Sequence, residues 1–147
     1  MKDSLMLTIL VGVSIFVIGQ VLLKLLVEPI VSLKTSIGEL SALFLREHAC
    51  VTNASATEAT QQALKNLTSR ILSHKQAIPL YPICAIVFGL PSEKKLIDSC
   101  SSVNYIAHYA VKSASEEKSK FGVAVEIHKE MKNISQKMKI LVEYIKL

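Results

Sequence analysis

The sequence contains no tryptophan and only four tyrosines and four phenylalanines. A core built from it must be filled by Val, Ile, Leu and Ala, and a nucleobase-stacking face would lack its aromatic platform. Nucleic acid is therefore not expected as a partner, although the net charge is +5. Much of that excess lies in the last stretch, where Lys129, Lys132, Lys137, Lys139 and Lys146 face only Glu130 and Glu143. Interleaved charge of this kind reads as a solvated helix face, with attraction to anionic headgroups as the sharper alternative. Cysteine is scarce too. Cys50, Cys84 and Cys100 are odd in number and widely spaced, which leaves no zinc knuckle and no redox C-x-x-C. Unpaired, apolar-flanked thiols read as small core residues in a reducing compartment. The sequence also has no P-loop, no G-x-G-x-x-G and no H-E-x-x-H.

What the chain does have is a long apolar run. Leu5 to Leu23 carry no charge, and the run continues to Val27 with Lys24 as its one interruption. About twenty residues cross a hydrocarbon core. Leu, Ile, Val and Phe fill sixteen positions between Leu5 and Val27. Together they favour insertion by about −5 to −9 kcal/mol, against about +3 for a central lysine. Lys24 sits near the end, where it can snorkel, so insertion wins. The pattern predicts a transmembrane anchor over 1–29, passing the bilayer through Leu5, Leu10, Ile15, Val21 and Val27. A cleavable signal peptide is the main competitor. Its apolar core would be about 7–15 residues long and followed by a small-x-small site, which Val21 to Val27 lacks. Lys24, Lys34 and Arg46 follow the run, while Lys2 and Asp3 precede it. Basic residues prefer the cytoplasmic side, so the C-terminal part is expected there, in a plasma (inner) membrane crossed once.

Behind the anchor, residues 30–147 read as an all-α domain: a small bundle of about four antiparallel helices. Pro29 predicts a kink or a fresh helix start. Ile30, Leu33, Ile37, Leu40 and Phe44 follow at heptad spacing and form a candidate interaction seam, for use within the bundle or between chains. That helix is expected to run to about Ala49, followed by a loop over Val51 to Thr57. Ser55-Ala-Thr-Glu58 is a capping box for a second helix that ends before Pro79, with Ala63, Leu67, Ile71, His74 and Ile78 on one face. The segment 78–91 is strongly apolar and bracketed by prolines, with Pro79, Tyr81, Gly89 and Pro91 as structural turn residues. A buried turn plus a short helix over Cys84 to Phe88 is the expectation, with Tyr81 and Phe88 in the core; its length falls short of a span. Pro91-Ser92 opens a third helix with Leu96 or Ile97, Cys100, Val103, Ala107 and Ala110 inward. Ser113-Ala-Ser-Glu116 would cap a last helix bearing Phe121, Ala124, Met131, Ile134, Met138, Leu141 and Ile145. One continuous helix through 112–120 is the alternative.

Ile78-Pro79-Leu-Tyr81, followed by Gly89-Leu-Pro91-Ser92 and a helix, resembles a group of short bacterial proteins with an N-terminal membrane segment and a helical cytoplasmic part. The resemblance covers about residues 40–111. It implies a bacterial plasma-membrane setting and supplies no activity and no functional residues.

Side chains able to do chemistry were weighed against plainer roles. Glu126 and Glu130 share a helix face, but His128 points elsewhere. Glu47, His48 and Cys50 are too close in sequence to face one another on a helix. His74 on an apolar stripe has no second ligand one turn away. No catalytic, metal or cofactor residue is therefore expected. The expected function is a membrane-tethered helical interaction or regulatory module, with the lipid bilayer and a protein partner or a second copy as its partners. The alternative is a membrane-perturbing effector or small toxin acting through segment 78–90.

Overall fold

The computed structural model describes residues 2–111 and 120–143. Among the described residues it consists of helices and their connections, with no strand beyond one isolated bridge that joins Ala56 to Val111. Helix α1 covers Lys2–Leu22. A π turn over Leu23–Val27 joins it to α2, Glu28–Arg46. From Met6 to Arg46 these form one helix of 41 residues, long and apolar enough to cross a membrane. Leu10, Ile15, Val21 and Val27 are exposed along it, with none of the described residues covering them.

At Pro29 the chain does not leave the helix, which is continuous over Met6–Arg46. A proline ring crowds the carbonyl four residues earlier, here Leu25, and offers no N–H to the ladder. The π turn just before Pro29 contains Leu25 and widens the helix there, with the Glu28 N–H reaching back to the Leu23 carbonyl. The proline is absorbed and the helix continues.

A short helix α3, His48–Thr52, lies within what periodicity left as helix end and loop. Helix α4 then runs Glu58–Ala77. Its N-cap is Thr57, whose Oγ1 accepts the Thr60 N–H at 3.2 Å. The capping box expected at Ser55 is not the cap; Ser55 Oγ instead turns back to the Cys50 carbonyl. Next come α5, Tyr81–Phe88, α6, Glu93–Tyr109, and α7, Lys120–Met138. Helix α2 packs on α4, α4 on α6, and α6 on α7. Cross-links fix the antiparallel register: Arg70 to Glu39 at 2.7 Å between α4 and α2, and Lys137 to Asp98 at 3.3 Å between α7 and α6. Because α7 folds back along α6, the two are separate helices rather than one. The cap at Ser113–Glu116 and Ile145 lie outside the described residues.

The core is aliphatic, as the shortage of aromatics requires. Ile30, Leu33, Ile37, Leu40 and Phe44 are all buried, Leu33, Leu40 and Phe44 completely. They meet Leu64, Leu67 and Ile71 of α4, then Leu96, Cys100, Val103 and Ile106 of α6, then Val123, Ile127, Met131 and Ile134 of α7. Each fully buried Leu or Ile contributes about 1.5–3 kcal/mol of transfer free energy. Ile97 faces out while Leu96 takes the inward position. Helix α7 stops at Met138 because Lys139 adopts a left-handed conformation, φ 57°. The stripe is thereby broken: Leu141 is exposed and Val142 is buried in its place.

Candidate functional site

Helix α4 ends where α2 begins, so the connection from Ile78 to Pro91 lies at the end of the bundle that α1 enters. Leu80 sits in the left-handed region, φ 51°. A leucine there is strained, and the strain buys a sharp corner: α5 is turned by 105° from α4. Pro82 opens α5, where its missing N–H costs nothing. Gly89, at φ 65°, closes it, and the Leu90 N–H bonds the Ala85 carbonyl at 2.9 Å. This is a Schellman-type stop that favours glycine. The Tyr81 hydroxyl donates to the Pro91 carbonyl at 2.8 Å and pins the two ends of the loop together. Tyr81, Gly89 and Pro91 thus act together in this turn. Burial, with Glu93 nearby, pushes the Tyr81 phenol up to about 12.

The burial of α5 differs from expectation in one respect. Tyr81, Cys84 and Ala85 face the core, but Phe88 is 40% exposed and does not belong to it. Leu80, Ile83, Ile86 and Val87 are more exposed still. An eight-residue helix presents only one face to the bundle, and Phe88 falls on the flank of that face.

Beside this corner lies a cleft of about 500 Å³ between α2, the α5–α6 turn and the segment after α7. Its floor is Ile37, Leu90, Met138, Ile140 and Leu141, and its rim carries Lys34, Lys95, Lys137 and Lys139. Among the described residues, no acidic side chain lines it. Gly38 forms part of the α2 wall, and a methyl group there would meet nothing within 4 Å. The Ser41 hydroxyl donates to the Leu141 carbonyl and holds the tail across the cleft's edge. Lys137 is engaged by Asp98.

Of the side chains singled out for chemistry, His48 and His128 line one small cleft together. Among the described residues, no group of three or more His, Cys, Asp or Glu is placed to hold a metal ion. Glu126 accepts a hydrogen bond from Tyr105, and that bond is the first cause lifting the Tyr105 phenol to about 12. Glu47 pairs with Arg46, and Cys50 is exposed rather than in the core. Cys84 and Cys100 are buried, and burial pushes the Cys100 thiol up to about 11, away from thiolate chemistry. His48 Nε2 lies 4.0 Å from Glu143 beside a smaller cleft that also includes His128. The candidate seam is consumed inside the chain, where it faces α4. The lysine rim was invisible to pattern reading because its members come from three segments that are distant in sequence.

Compared with protein-family models, curated proteins and solved structures, the chain matches none.

Proposed function

We infer that this chain is a membrane-tethered helical interaction module, held by α1 as a retained anchor with the bundle on the cytoplasmic side, and that it works by binding rather than catalysis. The observation that carries the reading is the cleft beside the α5–α6 turn. It combines an apolar floor with lysines and no acid. Such a site suits an acidic, amphipathic segment of a protein partner: apolar side chains fill the floor and carboxylates meet the rim. Tethering raises the effective concentration of partners in the same membrane, so modest affinity suffices. A photocrosslinking residue at Lys34, on the rim, should trap a partner in membranes, and Lys139→Glu should abolish that adduct. The same probe at Lys65, on an exposed part of α4, should trap nothing. Equal trapping from both sites, or persistence of the Lys34 adduct in Lys139→Glu, would sink the reading. Orientation rests on the basic residues that follow the apolar run. A reporter fused after Leu147 should be active in the cytoplasm, and periplasmic activity would reverse it.

A second reading, membrane perturbation by segment 78–90, draws on the exposed apolar side of α5. Eight helical residues extend only about 12 Å, against about 30 Å of hydrocarbon, so it requires several copies acting together. Depolarisation on graded expression would favour it.

A further inference from the structure

We propose that the outer face of α5 is a second membrane contact, an interfacial helix that seats the end of the bundle on the bilayer into which α1 is anchored. The inference rests on α1 being a retained span.

Three observations converge. The first is the face itself. Leu80, Ile83, Ile86 and Val87 are 72%, 60%, 85% and 70% exposed, with Phe88 on the flank, and they point away from the core contacted by Tyr81, Cys84 and Ala85. Four exposed aliphatic side chains in consecutive turns are more than scattered surface apolarity.

The second is level and direction. Arg70 of α4 pairs with Glu39 of α2. Seven residues further along α4, Ala77 lies about 10 Å closer to α1, level with the start of α2 near residue 32. Leu25, Val27 and Val31 are exposed on the long helix up to that height, beside exposed Lys24 and Glu28. From Val27 to residue 32 is about 7 Å of rise, which matches the headgroup layer of about 5–7 Å per leaflet. Interfacial helices sink their apolar face about 5–10 Å into that boundary. Because α4 runs alongside α2 and α5 turns 105° from α4, α5 runs across the long helix rather than along it.

The third is charge. Lys139 borders the same side of α5 as Ile86 and Pro82, and Lys34 and Lys95 flank the turn that follows it. The acid nearest the segment, Glu93, is neutralised by Lys75. Lysines at headgroup height attract anionic lipid. A protein occupant is a poorer fit, since the face offers no Trp, Tyr or Arg anchor of the kind that dominates protein interfaces.

The test uses the full chain with Cys50→Ser, reconstituted sparsely in vesicles of phosphatidylcholine and phosphatidylglycerol, with nitroxides at Ile86→Cys, Val87→Cys, Ile15→Cys and Thr35→Cys in turn. Relaxation by oxygen, which concentrates in lipid, is compared with relaxation by a water-soluble nickel chelate. Ile86 and Val87 should resemble Ile15, several-fold more sensitive to oxygen, whereas Thr35 should favour nickel. Adding Ile86→Glu should return a Val87 probe to water while the helical content stays unchanged. If Ile15 reports lipid but Ile86 and Val87 report water, the inference fails and the anchor stands. If Ile15 also reports water, both fail. Spin–spin broadening at Ile86 would assign the face to a second copy and overturn the lipid contact.

Discussion

Tyr81→Phe removes one oxygen from the corner that sets the direction of α5. At neutral pH the change deletes the bond from the hydroxyl to the Pro91 carbonyl, 2.8 Å long. A neutral hydrogen bond of this kind is worth about 0.5–1.5 kcal/mol net, and the ring stays in place, so no cavity adds to the cost. The effect should then change sign with pH. The folded phenol titrates near 12, raised first by burial and then by Glu93, from an ordinary value of 10.0. A raised phenol means that folding favours the neutral form. Its contribution is intact below pH 10 and declines as pH rises through 12. Two pH units at about 1.36 kcal/mol each bound the loss at about 2.7 kcal/mol, and water near the hydroxyl screens it below that. Wild type should therefore be about 1 kcal/mol more stable than Tyr81→Phe at pH 7 and lose that advantage by about pH 11. Lysine titration is common to both proteins and cancels in the difference. Guanidinium unfolding in mild detergent, followed by far-UV circular dichroism, supplies the numbers. A difference that stays constant from pH 7 to 11, or none at pH 7, would refute the reasoning.

Leu33→Ala and Leu64→Ala each empty a fully buried site and should cost about 2–5 kcal/mol in the same unfolding assay. Ile86→Ala, at 85% exposure, should stay within about 0.5 kcal/mol of wild type. Thr57→Ala should lose about 1 kcal/mol through its cap, more than Ser55→Ala loses. Gly38→Ala, with nothing in the way of the new methyl, should gain up to about 1 kcal/mol, read as a higher guanidinium midpoint. A water-soluble maleimide should label Cys50 at once and reach Cys84 and Cys100 only after denaturant is added.

Most of the architecture was legible because aliphatic periodicity and prolines dominate it. The heptad at Ile30 to Phe44 marks the buried side of α2, and Pro79 and Pro91 bracket the corner. What was misread had local causes. At Pro29 a π turn substituted for the expected break, a backbone adjustment with no side-chain signature. At Ser55 and Thr57 two hydroxyl residues, one residue apart, competed for one cap, and sequence spacing favoured the wrong one. Phe88 was assigned to the core for its hydrophobicity, but rotation around a short helix, fixed by Tyr81, Cys84 and Ala85, decides which side faces in. The lysine rim of the cleft depends wholly on tertiary placement, so no linear pattern could announce it.

Helix α1 passes through the π turn into α2 without a break. The apolar run from Leu5 to Val27 is about 34 Å long as a helix, slightly more than the roughly 30 Å of hydrocarbon it would cross, and a span in that position tilts. The α2 portion stands about 28 Å beyond it. A tilt of about 10° at the base would carry the far end of α2 sideways by about 5 Å. Were α1 to span a bilayer, a change in thickness would become displacement at Arg46 and α3, as a lever converts a small turn at its pivot into travel at its tip.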